Sequence, residues 1–537
     1  MLNENEHDQL GVVTEGSFSA GLTVRLSTDS AEELQVGSFV VLEGDRNRYF
    51  SLVNDLQLRA TDPGVVADPP VGSSFIRRVL QGIHTYSAAV VRPSLVLEDS
   101  ANLAGDPQPK AVRTIPGHFT ILRKAREQDF DHVFGQESRE RFSLGSPIAM
   151  DGVMVPIDLV KLIERSNGIF GQTGTGKSVL TRLVLFGLIR SNLASSLIFD
   201  MHDEYANAKP DKPNIPGLKD FFASTEIKVY SLGTKSTTAD YHIQIGMNQI
   251  RPEDIELLRD ELDLNDTFSA QTYLLARQFG DKWLSRLLEM DGPAVKEFCE
   301  SSGAHQNALD ALRRKLLYLE DCDYVRPSAT SSTVDDILQH LLNGRHVVIQ
   351  FGSHSRLRDY MLVANILTRR IHEEYIERAT KASGNGKHGA GRPLVVVLEE
   401  AHKFLNPAAA KQSIFGTIAR EMRKFGVSLL VVDQRPSGID SEVLSQLGTR
   451  ISGLLADEAD IGAVLAGTGD RSAMRSMLAS LEPSRQCLVV GHAIPMPMIL
   501  HTREYGYGLK SLLEEKQRDA EIGMELLRSK RRQAKIG

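Results

Sequence analysis

Cysteine is scarce in this chain. Its 537 residues hold three, Cys299, Cys322 and Cys487, far apart and without C-x-x-C spacing. That excludes a paired-cysteine zinc site and a disulfide framework, and it fits a reducing, cytoplasmic location. Long apolar runs are missing as well. None approaches the ~20 residues of a membrane span, and the longest, such as Leu394 to Leu398, suit buried strands. No membrane association is expected. The opening decapeptide MLNENEHDQL is polar and acidic, unlike a secretory signal. There is no basic excess either, because the net charge is −7. A protein that coats itself with DNA shows a basic balance. Any nucleic-acid site here must therefore be a local groove or channel. The last eleven residues, LRSKRRQAKIG, hold five basic residues and no acidic one; such a tail can touch phosphates, but the favoured reading is a solvated helix end. No tandem repeat is present, and no Asp/Glu/Lys constellation of a metal nuclease stands out.

Hydrophobic content of 41% and charged content of 24% are ordinary for globular protein. The length leaves room for two to four domains. Residues 1–145 are β-rich. Leu22–Leu26 alternates apolar and polar, Gly37–Leu42 and Arg48–Val53 flank a turn, and Ala88–Leu97 is a further apolar run interrupted by Arg92-Pro93. Short strands at this spacing predict a small antiparallel barrel or sandwich. From residue 146 to about 505 apolar strands alternate with helical stretches. The strands are Leu197–Asp200, Lys228–Ser231, His346–Phe351, Leu394–Leu398, Ser428–Asp433 and Gln486–Val490. This alternation predicts an α/β fold with a mostly parallel, helix-covered sheet. A helical insertion fills about 250–343 and starts at Pro252-Glu253-Asp254, with proline in the first turn and acids at the positive dipole end. Lys381–Arg392 reads as a surface loop. Residues 506–537 form a C-terminal region with an amphipathic helix over about Leu509–Lys530.

One octapeptide carries chemistry. Gly171-Gln172-Thr173-Gly174-Thr175-Gly176-Lys177-Ser178 matches G-x-x-x-x-G-K-[ST] at every fixed position. It lies between a short strand, Asn167–Phe170, and a helix, Val179–Ile189, where the helix dipole favours an anion. Gly171, Gly174 and Gly176 let backbone N–H groups at Thr173 and Thr175 wrap a polyphosphate. Lys177 reaches the β- and γ-phosphates, and the Ser178 hydroxyl can ligate Mg²⁺. ATP and Mg²⁺ are thus the expected cofactors. The strand Leu394–Leu398 ends in Glu399 and Glu400. Glu399 takes the metal-supporting place, more often Asp, and Glu400 is the candidate for polarising the attacking water. Gln434 follows the strand Ser428–Asp433, where a polar residue can sense the γ-phosphate or simply belong to a turn. Arginines also stabilise phosphoryl transfer. Arg165 precedes the phosphate-binding strand, and Arg420 and Arg423 follow Glu400; each also suits an ordinary surface ion pair.

Together these motifs resemble the HerA/FtsK group of P-loop ATPases, specifically the HerA DNA translocases. The matching residues are the GQTGTGKS loop, Asp200-Met201-His202-Asp203-Glu204-Tyr205, LEEAH at 398–402, Ala419–Gly426 and Asp433-Gln434-Arg435-Pro436-Ser437. The β-rich N-terminal region is similar to the small barrel preceding the ATPase core in that family. The resemblance implies a homohexameric ring threading double-stranded DNA without regard to sequence. It implies Lys177 and Ser178 at phosphate and metal, Glu399 and Glu400 at metal and water, and Gln434 as sensor. Glu204 matches a family acid near the site, and Arg165 and Arg423 match arginines that complete it, at least one from a neighbouring subunit. Two positions depart from the family pattern, with Glu399 where Asp is frequent and Asp203 where Gly is frequent. Six copies of a few basic residues can line a pore without making the chain basic. The resemblance further implies a partner nuclease, in end processing or anti-phage defence. The alternative is an ATP-dependent ring scaffold that assembles an effector enzyme. A conjugation-type pump is disfavoured by the lack of a membrane segment.

Overall fold

The computed structural model describes residues 9–27, 34–67, 79–80, 84–98, 109–148, 150, 152–208, 214–232, 236–329, 333–354, 356–384, 391–411, 413–468 and 471–514. The chain forms two compact units. One comprises residues 1–158, 468–477 and 486–503, the other 159–467, 478–485 and 504–537.

The first unit opens with seven strands: β1 (Gln9–Ser17), β2 (Gly21–Leu26), β3 (Phe39–Glu43), β4 (Asn47–Ala60), β5 (Thr85–Glu98), β6 (Lys110–Ala111) and β7 (Ile121–Lys124). They run in the order β2-β1-β7-β3-β4-β5-β6, and an added β2–β5 pairing closes the sheet into a barrel. Inward residues such as Leu22, Val24, Val40, Leu42, Val53 and Val91 form its core. The expected break at Arg92-Pro93 does not occur. β5 runs through it because the register against β4 shifts between Phe50 and Ser51, and Ser51 faces Pro93. A bulge absorbs the residue that cannot donate to the ladder. A buried ion pair anchors the barrel's last strand. Arg123 donates to both oxygens of Asp129 at 2.7 and 3.1 Å, and the Arg126 N–H adds a third bond at 2.8 Å. Burial opposes ionisation of Asp129, but the Arg123 and Arg126 hydrogen bonds prevail and hold its carboxyl below the ordinary range.

After the barrel, β8 (Arg141–Pro147) and β9 (Val155–Asp158) pair antiparallel. The second unit then follows with β10 (Asn167–Phe170), β11 (Ser195–Asp200), β12 (Ile227–Ser231), β13 (Tyr241–His242), β14 (Ile245–Gly246), β15 (Val325–Arg326), β16 (His346–Gln350), β17 (Leu394–Glu399), β18 (Val427–Asp433) and β19 (Thr449–Ser452). Eight of these form a parallel succession, β13-β12-β16-β11-β17-β18-β10-β19. β14 and β15 pair apart from it. Strands β10, β11, β16, β17 and β18 are buried at every residue. Their near-continuous apolar runs are what a sheet covered on both faces requires. β20 (Gln486–Gly491) and β21 (Met498–Thr502) return to the first unit, where β21 pairs with both β20 and β8.

The insertion is helical: Pro252–Glu256, Asp266–Phe279, Trp283–Glu289, Gly292–Ser302, Gln306–Leu316 and Thr333–Leu342. Asp254 caps its first helix by accepting the Arg251 N–H at 2.8 Å. The same carboxylate binds Arg369 and Asn365, both at under 3 Å, on the long helix Leu357–Gly384. The sole tryptophan, Trp283, is buried and donates to the Ile250 carbonyl at 2.9 Å. Lys381–Gly384, expected in a loop, continue the long helix, and 385–390 lie outside the described residues. The expected C-terminal helix also lies outside them beyond Glu514. Among the described residues no helix is long and apolar enough to cross a membrane.

Asp129→Ala leaves Arg123 buried without its main partner, a change that costs about 3 kcal/mol or more. Hydrogen exchange at β3 and β7 amides should accelerate accordingly. Unchanged protection there would contradict the anchoring role.

Candidate functional site

Three neighbouring strands deliver the candidate residues to one edge. In the parallel register Phe170 pairs with Asp433 and Glu399 with Val432, so β10, β18 and β17 end level. β18 lies between the other two. The loop after β10, the Gln434 turn after β18 and the Glu399-Glu400 pair after β17 therefore meet at the carboxyl ends of the strands, where ligands bind in open α/β sheets.

The phosphate-binding loop is shaped by its glycines. Gly171, Gly174 and Gly176 have φ of 157°, 80° and 90°. Gly176 sits in the left-handed region as N-cap of the helix Lys177–Ser191. That helix is buried on all sides from Leu180 to Ser191. Thr173 and Gly174 are exposed, and Lys177 and Ser178 are half-buried. The loop is braced from outside by Ser484. Its N–H donates to the Thr175 carbonyl at 3.1 Å and its hydroxyl to the Gly174 carbonyl at 2.6 Å. Ser484 itself has φ of 62°. A Cβ at Gly176 would lie 3.0 Å from the Ser484 Cα. With carbonyls turned outward, the alternate N–H groups are left to face an anion.

A hydrogen-bond relay links the three strand ends. The Thr173 hydroxyl donates to Gln434 Oε1 at 2.6 Å, and Gln434 Nε2 donates to Glu400 Oε1 at 3.1 Å. Glu400 has φ of 47°, a left-handed conformation uncommon for a non-glycine residue and frequent at functional sites. Glu399 faces a different set of partners. The Tyr205 hydroxyl donates to its Oε1 at 2.5 Å and the Met201 N–H to its Oε2 at 3.1 Å. Asp200 accepts the Glu204 and Tyr205 N–H groups at 2.7 and 2.8 Å. Arg182, on the phosphate-loop helix, donates twice to the Glu204 carbonyl at 3.0 and 2.6 Å. Asp203, where the family often has Gly, has φ of 53°. This is the region glycine favours and aspartate tolerates.

Asp200 and Glu399 are both buried carboxyls pushed above the ordinary range. For Asp200 the causes are burial and then the charge of Glu399. For Glu399 burial dominates; the Tyr205 hydrogen bond opposes it, Glu204 adds to it, and Lys177 opposes it. These influences place Lys177 and Glu204 in the electrostatic neighbourhood of Glu399. The Ser178 hydroxyl and the Glu399 carboxylate are hard oxygen donors, which suit Mg²⁺.

The structure thus gathers Thr173, Gly174, Lys177, Glu204, Glu399, Glu400 and Gln434. It does not bring Arg165 or Arg423 to the same edge. Arg165 precedes β10 and the one-turn helix Met422–Phe425 precedes β18, so both stand at the amino edge of the sheet. The chain distance along β10 to the phosphate loop is about 20 Å at ~3.3 Å per residue. The Arg165 side chain is half-buried against Gly448, and its Nε has no hydrogen-bond partner among the described residues. The Arg423 side chain lies outside the described residues. Arg420 donates to the Ala410 carbonyl at 3.0 Å. Sequence reasoning assigned no role to Tyr205 or Ser484. For Tyr205 the only signal is an acid, Asp200, closing an apolar strand; for Ser484 there is none.

A carboxyl whose folded pKa lies above its unfolded value binds extra protons in the native state. Its stabilising contribution is complete below the unfolded pKa and is lost as pH rises through the folded one. The nucleotide-free protein should therefore lose stability as pH rises from about 4 through neutrality, and Asp200→Asn should flatten that slope. Thermal unfolding across this range checks it; parallel slopes for the two proteins would contradict the assignment.

Residues 142–371 match the family model described as the central domain of helicase HerA. The DNA double-strand break repair helicase HerA of Sulfolobus acidocaldarius is 25% identical over 498 residues, covering 91% of this chain and 92% of its own. The HerA of Saccharolobus solfataricus is 25% identical over 483 residues, covering 87% of each chain. Among solved structures, the bacterial conjugative coupling protein TrwBdeltaN70 superposes with a TM-score of 0.46 at 15% identity, covering 72% of this chain and 94% of its own. A score that low leaves the fold to rest on the strand order itself. With its complete phosphate loop and two strand-end glutamates, the chain is a P-loop ATPase that is similar to the HerA helicases over most of its length.

Proposed function

We propose that this protein is an ATP-driven translocase of double-stranded DNA that works as a homohexameric ring with a partner nuclease, in DNA end processing or anti-phage defence. The observation that carries this reading is the division of the site between two edges of one sheet. Phosphate loop, glutamates and sensor stand at the carboxyl edge, and the two candidate arginines at the amino edge. A chain cannot close its own site across its sheet; a neighbour presenting its amino edge can. The names of the HerA relatives point to DNA break repair, which favours duplex DNA as the track.

In this reading Lys177 and the N–H groups of the loop bind the β- and γ-phosphates. Ser178 and Glu399 would hold Mg²⁺, which would supply positive charge against the developing phosphate charge. Glu400 accepts a proton from the attacking water and aims it. Gln434, already bonded to both Thr173 and Glu400, changes partner when a γ-phosphate arrives and so reports it. Glu204 lies near enough to Glu399 to oppose its ionisation and adds to the negative field that draws the cation. Arg165 and Arg423 act on the neighbouring subunit's nucleotide. With a net charge of −7, DNA contact falls to a few pore residues on phosphates, giving sequence-independent and salt-sensitive binding.

Linear duplex DNA should stimulate ATP turnover several-fold. Lys177→Ala should reduce turnover to background, and Glu400→Gln should lower kcat by about a hundredfold or more while retaining nucleotide binding. Unchanged turnover in Lys177→Ala would remove this loop from the mechanism. ATP-dependent ring assembly with no DNA response would instead indicate a scaffold that organises an effector enzyme.

A further inference from the structure

Asp433, the last residue of β18, is fully buried. It accepts the His402 N–H at 2.6 Å and the Arg435 N–H at 2.7 Å. His402 Nδ1 stands 3.1 and 3.0 Å from its two oxygens. One carboxylate thus grips both the backbone and the ring of a single histidine. A carboxylate can only accept here, so Nδ1 carries the hydrogen. The same Nδ1 lies 3.8 Å from Glu400 Oε2, while Gln434 Nε2 holds Glu400 Oε1 at 3.1 Å. Glu400, Gln434, Asp433 and His402 therefore close a ring that ties the end of β17 to the end of β18. Gly438 stands against the histidine, since a Cβ there would lie 3.4 Å from the His402 Cβ.

This ring answers a mechanical question. Glu400 sits in a left-handed backbone conformation, and such residues persist only when surrounding contacts over-determine them. Its turn is closed by the Lys403 N–H donating to the Glu400 carbonyl at 2.9 Å, and the next residue fixed in place is His402. We infer that His402 is a positioning residue for hydrolysis: anchored by Asp433, it faces one oxygen of Glu400 while Gln434 holds the other, so the carboxylate meets the attacking water in one orientation. His402 touches neither phosphate nor water in this account. Its loss should damage the chemical step and spare nucleotide binding. This rests on the hydrolytic roles proposed above for Glu400 and Lys177.

The test uses the full chain and steady-state turnover against ATP concentration in excess Mg²⁺, with binding of a fluorescent ATP analogue measured in parallel. His402→Leu should lower kcat about ten- to a hundredfold, as misplaced catalytic groups do, with KM changed by no more than about threefold. His402→Asn, whose amide keeps a donor toward Asp433, should recover kcat to within about fivefold of the parent. Parental kcat in His402→Leu would overturn the inference. So would an asparagine variant as slow as the leucine one, or analogue binding lost in step with turnover, which would show a merely structural role. The two readings fail separately. A chain that hydrolyses ATP but ignores DNA defeats the translocase and leaves the His402 comparison intact on basal turnover. Unchanged turnover in Lys177→Ala defeats the assignment of the site itself, and the inference with it.

Discussion

Everything at the candidate site depends on the parallel register of three strands. Phe170 opposite Asp433 and Val432 opposite Glu399 bring β10, β18 and β17 to a common edge. Side chains alternate faces along a strand, so a one-residue slip would turn each strand's side chains to the other face of the sheet. Burial on both faces forbids that slip, because it would move whole apolar sets at once. The long apolar runs of β17 and β18 thus do more than fill a core. They fix the distance between a sensor amide, two carboxylates and a phosphate cradle that lies more than two hundred positions before them in the chain.

The edge so formed is costly to build. Asp200, Glu399 and Asp433 are almost completely buried, and a buried carboxylate is tolerated only with hydrogen bonds or a counter-charge. Backbone N–H groups from 204, 205, 201, 402 and 435 supply most of those bonds. Each bond also fixes the turn that bears a functional residue. The acid that needs a partner and the loop that needs a shape satisfy each other. The same holds for the phosphate loop, whose outward carbonyls are held by Ser484.

Much of this was legible in the sequence. The octapeptide spacing, the apolar strands ending in acids and the change from alternating to continuous apolar runs gave the α/β class, the barrel-like N-terminal region and the cluster at the carboxyl edge. Other features had no local signature. Pro93 reads as a strand break because the compensating bulge, at Ser94 beside it, exists only in the pairing with a strand about forty residues earlier. Ser484 braces a loop 310 residues away, and nothing in Glu482-Pro483-Ser484 announces it. Tyr205 lies inside a motif, yet its bond to Glu399 crosses 194 residues. Such pairings are made by tertiary packing, to which periodicity and spacing are blind. The position of Arg165 is a different case. Its place before β10 was plain, but that it stands at the far edge from its own phosphate loop follows only from the parallel topology.

That separation makes the decisive claim, that one chain's nucleotide is completed by its neighbour's arginine. Arg165→Ala and Glu400→Gln subunits, each inactive alone, should regain ATP turnover when mixed, because some interfaces then join an intact glutamate to an intact arginine. Turnover should peak at intermediate ratios. No recovery at any ratio, with mixed assemblies shown to form, would contradict a site shared between subunits.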